Sequence, residues 1–311
     1  MSTVRLPDFI IGGAPKCATS SLHAVLHEHP AIALPQLEFG FFDADDPITH
    51  PDFFWPKRSG LLRFEYDPPG GRFFESYVAN FLAYGQADFV GEHSTTYLSS
   101  QVAPSRIKET IPDVRMIFMI RDPVSRAYSQ YWHDVQNGRV TSSFEATLLK
   151  RPNIVLGSTY LPGIKRYMDL FTADRVKVIL FEDYATDAQR QIDGIIDYIG
   201  AARIELPEEK LWSNRTPYPR FPTAQLLVNR LRQPLIAGRY RSHLRSAPTR
   251  ISTLAWEADL KLRRRMPITF AKPPMRSSTK EYLQRHLSDR NRGLSELLGR
   301  DLSEVWSGFK G

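Results

Sequence analysis

The stretch Phe9–Leu26, FIIGGAPKCATSSLHAVL, decides the fold. Phe9–Ile11 is a short apolar run with the character of a buried strand, and Gly12-Gly13 ends it. A helix then begins near Ser20, with Leu22, Val25 and Leu26 on one face, and stops before Pro30. Between strand and helix lie Lys16 and the hydroxyls of Thr19, Ser20 and Ser21. A strand, turn and helix of this composition make a phosphate cradle. Glycines let the backbone approach, free N–H groups and the positive helix end face an anion, and lysine adds a mobile charge. The nucleoside-triphosphatase pattern GxxxxGK[ST] is not met, because no glycine precedes Lys16 and Cys17 and Ala18 occupy the positions after it. The plain alternative is a βα turn with an incidental lysine.

The same alternation of β-like runs and helical patterns continues for about two hundred residues. Phe89–Gly91 ends like a short strand and Arg115–Ile120 (RMIFMI) reads as a buried one. Asp122-Pro123 supplies an N-cap and a first-turn proline. The helix that follows buries Val124, Ala127, Tyr128, Tyr131, Trp132 and Val135, and Gly138 ends it. Val176–Phe181 is another strand, followed by a helix over about Asp187–Ile199 and then Gly200. Residues 43–75, rich in Pro, Asp and aromatics and without a period, read as a long excursion over the sheet. The expectation is an α/β fold, one domain over residues 1–311, with a central, mostly parallel sheet flanked by helices.

The chain of 311 residues is 42% hydrophobic and 24% charged, an ordinary globular composition. No apolar run reaches the ~18 residues of a membrane span, and no signal-peptide pattern opens the sequence. With Cys17 the one cysteine, no intrachain disulfide forms. These features favour a cytoplasmic setting. The net charge of +7 is concentrated: residues 229–265 hold ten Lys or Arg against Glu257 and Asp259, within a basic, more helical subregion at 203–280. Such a cluster either receives an anionic partner or is a solvated helical surface.

The first loop resembles the 5′-phosphosulfate motif of the sulfotransferases, most closely the heparan-sulfate type and its bacterial relatives. IRDPVSRAYSQY resembles the family's 3′-phosphate motif, an Arg at a strand end and a Ser eight positions on, here Arg121 and Ser129. GSTY, followed by VKVILFEDYATDAQRQIDGIIDYIG, resembles a third element, and LSDRNRGLSELLGRDLSEVW resembles the closing helix and tail of bacterial members. The resemblance implies a P-loop-like sulfotransferase fold and 3′-phosphoadenosine 5′-phosphosulfate (PAPS) as cosubstrate, with adenosine 3′,5′-bisphosphate as product and no metal required. Lys16 would contact the bridging oxygen, and Cys17, Ala18, Thr19 and Ser20 would hold the 5′-phosphate. Arg121 and Ser129 would take the 3′-phosphate, and Tyr160 would lie near the adenosine. Arg126 is read as solvent-facing or as a support for the loop, and Glu182-Asp183 as structural. Asn214–Arg220 stands where cytosolic members carry a nucleotide-covering segment.

Two residues compete as catalytic base. QLEFGFFD resembles the segment holding the heparan-sulfate enzymes' glutamate and places it at Glu38, with Gly40 where they have histidine. GEHSTTYL places His93 where they have a lysine that holds the sulfuryl group, so His93 steadies its oxygens or is itself the base. Glu38 is favoured, with enclosure by Phe39, Phe41 and Phe42 expected to raise its pKa. Glu92 is read as structural, paired with a nearby cation. The acceptor is a small molecule, glycan or lipid, anionic if the basic region frames it, and no nucleic acid is expected. An ATP- and magnesium-dependent small-molecule kinase and a non-catalytic anion- or nucleic-acid-binding protein are the alternatives.

Overall fold

A computed structural model describes residues 5–58, 60–205, 217–243 and 250–310. In chain order its strands are β1 (Phe9–Gly13), β2 (Ile32–Ala33), β3 (Trp55–Lys57), β4 (Gly60–Leu62), β5 (Phe89–His93), β6 (Arg115–Ile120), β7 (Val176–Leu180), β8 (Tyr218–Pro219) and β9 (Ile268–Thr269). Five of them form the parallel sheet expected, in the order β2-β5-β1-β6-β7. β1 is buried at every residue and β6 at all but its first, as strands covered on both faces by helices must be. The chain moves to one side of β1 for β2 and β5, then crosses to the other for β6 and β7. The crevice at the carboxyl ends therefore opens beside β1, where the order reverses.

The local signals hold. α1 (Thr19–His27) buries Leu22, Val25 and Leu26. After α2 (Arg72–Ala79) and α3 (Ala103–Thr110), α4 (Pro123–Gln136) is capped by Asp122, whose Oδ1 accepts from Ser125 N at 2.6 Å. Gly138 beyond it takes a φ of 72°, which is what a helix-ending residue without Cβ is for. Asp187 caps the helix Ala188–Ile199, and Gly200 closes it at φ 99°. β7 stops at Leu180, one residue short of the expected end, because Phe181 opens a short helix, Phe181–Thr186.

The described part of residues 43–75 carries the antiparallel β3–β4 hairpin, and its Tyr66, Phe73 and Phe74 pack against the main core. The C-terminal motif packs, as its sequence suggests: Leu294, Leu302, Trp306 and Phe309 join the main core. Glu182 bonds this tail to the sheet, accepting from Asp122 N at 2.9 Å and from Trp306 Nε1 at 3.0 Å, and Asp183 pairs with Arg300. A second, smaller core forms around α4, where Tyr128, Tyr131 and Trp132 meet Phe144, Tyr218 and Leu287. Within the basic region, Arg232 is internal, its Nε 2.7 Å from the Asp259 carboxylate. Among the described residues no helix is long and apolar enough to cross a membrane.

Candidate active site

Segments leaving the carboxyl ends of β1, β2, β5, β6 and β7 line a cleft of about 1810 Å³. The first loop contributes Lys16, Ala18, Thr19 and Ser20; Glu38 follows β2, Thr95 and Thr96 follow β5, Arg121 follows β6, and Ser129 comes from α4.

The first loop turns on two left-handed residues, Lys16 at φ 69° and Ala18 at φ 67°. A β-carbon opposes that conformation, so Ala18 occupies a position that glycine would take at lower cost. Gly13 has no such option. A Cβ there would lie 2.7 Å from the Thr95 carbonyl oxygen. Among the described residues no hydrogen bond engages the backbone N–H groups of Lys16, Cys17, Ala18, Thr19 or Ser20. These donors open the helix end that attracts anions. The Cys17 side chain is fully buried, and burial pushes its thiol up to about 12, so only its backbone amide is available to a ligand.

Burial, and then the neighbouring Arg121 charge, hold the Lys16 ammonium below its ordinary pKa. Arg121 stacks over Phe181 at 4.3 Å. Neither Lys16 nor Arg121 lies within ion-pair distance of a described carboxylate. Tyr160 stands apart from this group. It is fully buried, does not line the cleft, and donates its hydroxyl to the Arg121 carbonyl oxygen at 2.8 Å. Its place is behind Arg121.

Glu38 extends into the cleft with its side chain 48% exposed, and its Oε2 accepts from Thr95 Oγ1 at 2.9 Å. The three rings expected from the sequence do not enclose it: Phe42 is buried in the core against Tyr77, and Phe39 and Phe41 pack on Tyr77 while lining the cleft, so the carboxylate stays half exposed. His93 sits behind Glu38, its Nδ1 3.9 Å from Oε1, and is itself buried outside the cleft lining. Burial lowers its pKa to about 4 against the pull of Glu38. At neutral pH it is a neutral imidazole and not the cation that its alignment suggests.

Glu92 also departs from expectation, since its partners are not cations. Tyr77 and Tyr97 donate their hydroxyls to it at 2.5 and 2.6 Å and Ser94 at 2.7 Å. Burial raises its pKa against those donors. Ser94 Oγ in turn accepts from Gly40 N at 2.9 Å, so this buried network anchors the turn that presents Glu38.

A profile of the sulfotransferase domain matches residues 6–215. The chain belongs to the sulfotransferase family. It is 23% identical over 212 residues to human bifunctional heparan sulfate N-deacetylase/N-sulfotransferase 2, covering 63% of this chain and 22% of that protein. It is 23% identical over 221 residues to human heparan sulfate glucosamine 3-O-sulfotransferase 3B1, covering 68% of this chain and 50% of that one. The matched region thus spans half or less of these relatives. Among solved structures, a sulfotransferase from Alicyclobacillus acidocaldarius shares 25% identity with a TM-score of 0.62, over 97% of this chain and 99% of that one.

Four further residues of this sulfotransferase line the site: Arg126, Lys272, Tyr218 and His133. Arg126 is buried beside the loop, its Nε donating to the Pro15 carbonyl at 3.1 Å and its Nη1 to the Ile154 carbonyl and Ser158 Oγ. It supports the loop and does not face solvent. The GSTY element makes room for it, since a Cβ on Gly157 would lie 2.3 Å from Nη1. GSTY is therefore a scaffold for both arginines. Lys272, just after β9, lines the cleft, its ammonium held below the ordinary value by burial and by Arg121. Of the proposed covering segment, residues 214–216 lie outside the described residues. Tyr218 lines the cleft through the β8–β9 pair, and Arg220 does not. His133 of α4 also lines the cleft, with burial and Lys16 lowering its pKa to about 3.

Proposed function

We propose that the chain transfers the sulfuryl group of PAPS to a hydroxyl or amine. The observation that carries this reading is that Lys16, Arg121 and Lys272, none ion-paired to a described carboxylate, converge on a cleft that also holds Glu38. Free amides and the hydroxyls of Thr19 and Ser20 would take the 5′-phosphate. Arg121, Ser129 and Lys272 would take the 3′-phosphate, a guanidinium being suited to bidentate contact. The acceptor oxygen forms a bond to sulfur as the bond from sulfur to the 5′-phosphate oxygen breaks. Lys16 neutralises the charge on that leaving oxygen, and Glu38 takes the acceptor proton. As in phosphoryl transfer, most of the acceleration comes from positioning and charge stabilisation.

The nucleotide assignment has a direct test in binding. Arg121→Ala and Ser129→Ala should weaken adenosine 3′,5′-bisphosphate more than adenosine 5′-phosphate, because both residues face the 3′-phosphate. The charge-assisted contact of Arg121 should be worth about 1.5–3 kcal/mol, the hydroxyl of Ser129 less. Calorimetric titration reads the difference, and equal losses for the two nucleotides would remove the assignment.

A further inference from the structure

The cleft is too large for the nucleotide alone. A pocket for one small ligand measures ~300–1,000 Å³, against about 1810 Å³ here, which leaves a compartment of comparable size beyond Glu38. Its walls come from residues 37–80, which include the excursion at 43–75 that shows no period in the sequence, and its chemistry differs from that of the nucleotide half. Leu37, 70% exposed, and the half-buried rings of Phe53, Phe64 and Phe73 face the space. Phe53 and Phe64 pack together at 5.5 Å. Among the described lining residues from this segment there is no Lys or Arg; its charged groups are Glu38, Asp52 and Glu65, with His50 bonded to buried Asp43 at 2.8 Å.

Two arginines from outside this segment also line the cleft, and both are paired within the protein. Arg151 forms a two-pronged pair with Asp52, at 3.1 and 2.8 Å, and lies 3.6 Å from Asp134. Arg139 lies 3.7 Å from Asp52 and 3.8 Å from Asp134. None of the described side chains of the basic stretch 229–265 lines the cleft. Among the described side chains of this wall, a polyanion would meet carboxylates and aromatic rings, and the two arginines beside it are already paired. An apolar body meets a complementary wall.

We infer, on the basis of the sulfuryl-transfer reading, that the acceptor is a neutral amphiphile: a hydroxyl presented to Glu38 on an aliphatic or aryl body seated against Leu37, Phe53 and Phe64. Removing such a body from water is favourable in proportion to its area, and the few polar groups around Glu38 fix the hydroxyl end. The acidic acceptor considered from the basic stretch does not suit this wall.

The test uses the full chain saturated with adenosine 3′,5′-bisphosphate, so that nucleotide binding is established first. Octan-1-ol, 2-naphthol and an unsulfated glucuronic acid–glucosamine hexasaccharide are titrated by calorimetry and then offered as acceptors with labelled PAPS. The amphiphiles should bind about tenfold or more tightly than the hexasaccharide and be sulfated in preference to it. The double variant Phe53→Ser, Phe64→Ser should lose about tenfold or more in amphiphile affinity with bisphosphate binding unchanged, which also reports that it is folded. A nucleotide-loaded chain that prefers the hexasaccharide, or binds neither amphiphile, overturns the inference while the nucleotide reading stands. A chain that does not bind the bisphosphate overturns the reading beneath it.

Discussion

Glu38→Gln should reduce turnover by ~10²–10⁴ while leaving nucleotide affinity nearly unchanged, the range a positioned general base supplies. Glutamine keeps the volume and can still accept the Thr95 hydroxyl, now 2.9 Å from Glu38 Oε2, so the cleft retains its shape and loses one proton acceptor. His93→Ala is the companion. The imidazole is buried and neutral behind Glu38, so its loss should disturb the carboxylate's setting and leave measurable activity. If Glu38→Gln stays active and His93→Ala is dead, the two roles are reversed. Gln and Ala variants are assayed side by side, for turnover and for bisphosphate binding.

Lys16→Met keeps the bulk of the side chain and removes its charge. Turnover should fall by ~100-fold or more and nucleotide affinity by much less, because the charge matters most as the bridging oxygen becomes negative. On the proposed reading Arg121 and Lys272 would still hold the bound nucleotide. Burial and Arg121 disfavour the ammonium, so an anion between these cations would relieve their mutual repulsion. Equal falls in affinity and turnover would make Lys16 a binding residue only.

What the sequence disclosed was local. The strand, loop and α1 follow from Phe9–Leu26, and the Asp122-Pro123 start of α4 follows from two adjacent residues, because caps and glycine turns are decided within a few positions. The placements it hid depend on contacts between distant segments. Arg126 is buried because Gly157 and Ser158 pack on it, some thirty residues away in sequence. Tyr160 joins the right motif but donates to the Arg121 carbonyl, since a motif's order does not say which way a ring turns. Glu92 meets Tyr77, from α2 at the end of the aperiodic segment. Lys272 lies far beyond Arg121 in the chain and reaches the cleft through the β8–β9 pair. The basic-stretch arginines Arg239, Arg241 and Arg245, natural candidates for an acidic acceptor, have side chains outside the described residues.

The central claim, that this cleft is built for a 3′-phosphorylated adenine nucleotide, is tested most directly by thermal unfolding with matched ligands. Adenosine 3′,5′-bisphosphate, ATP with magnesium, and an oligonucleotide are each added at about a hundred times the bisphosphate's dissociation constant. A ligand bound only by the folded state then contributes about 2.7 kcal/mol, a shift of a few degrees in a chain of this size. The bisphosphate should raise the midpoint by that amount, with ATP–magnesium and the oligonucleotide well below it. A larger shift with ATP–magnesium, or none with the bisphosphate, would contradict the account.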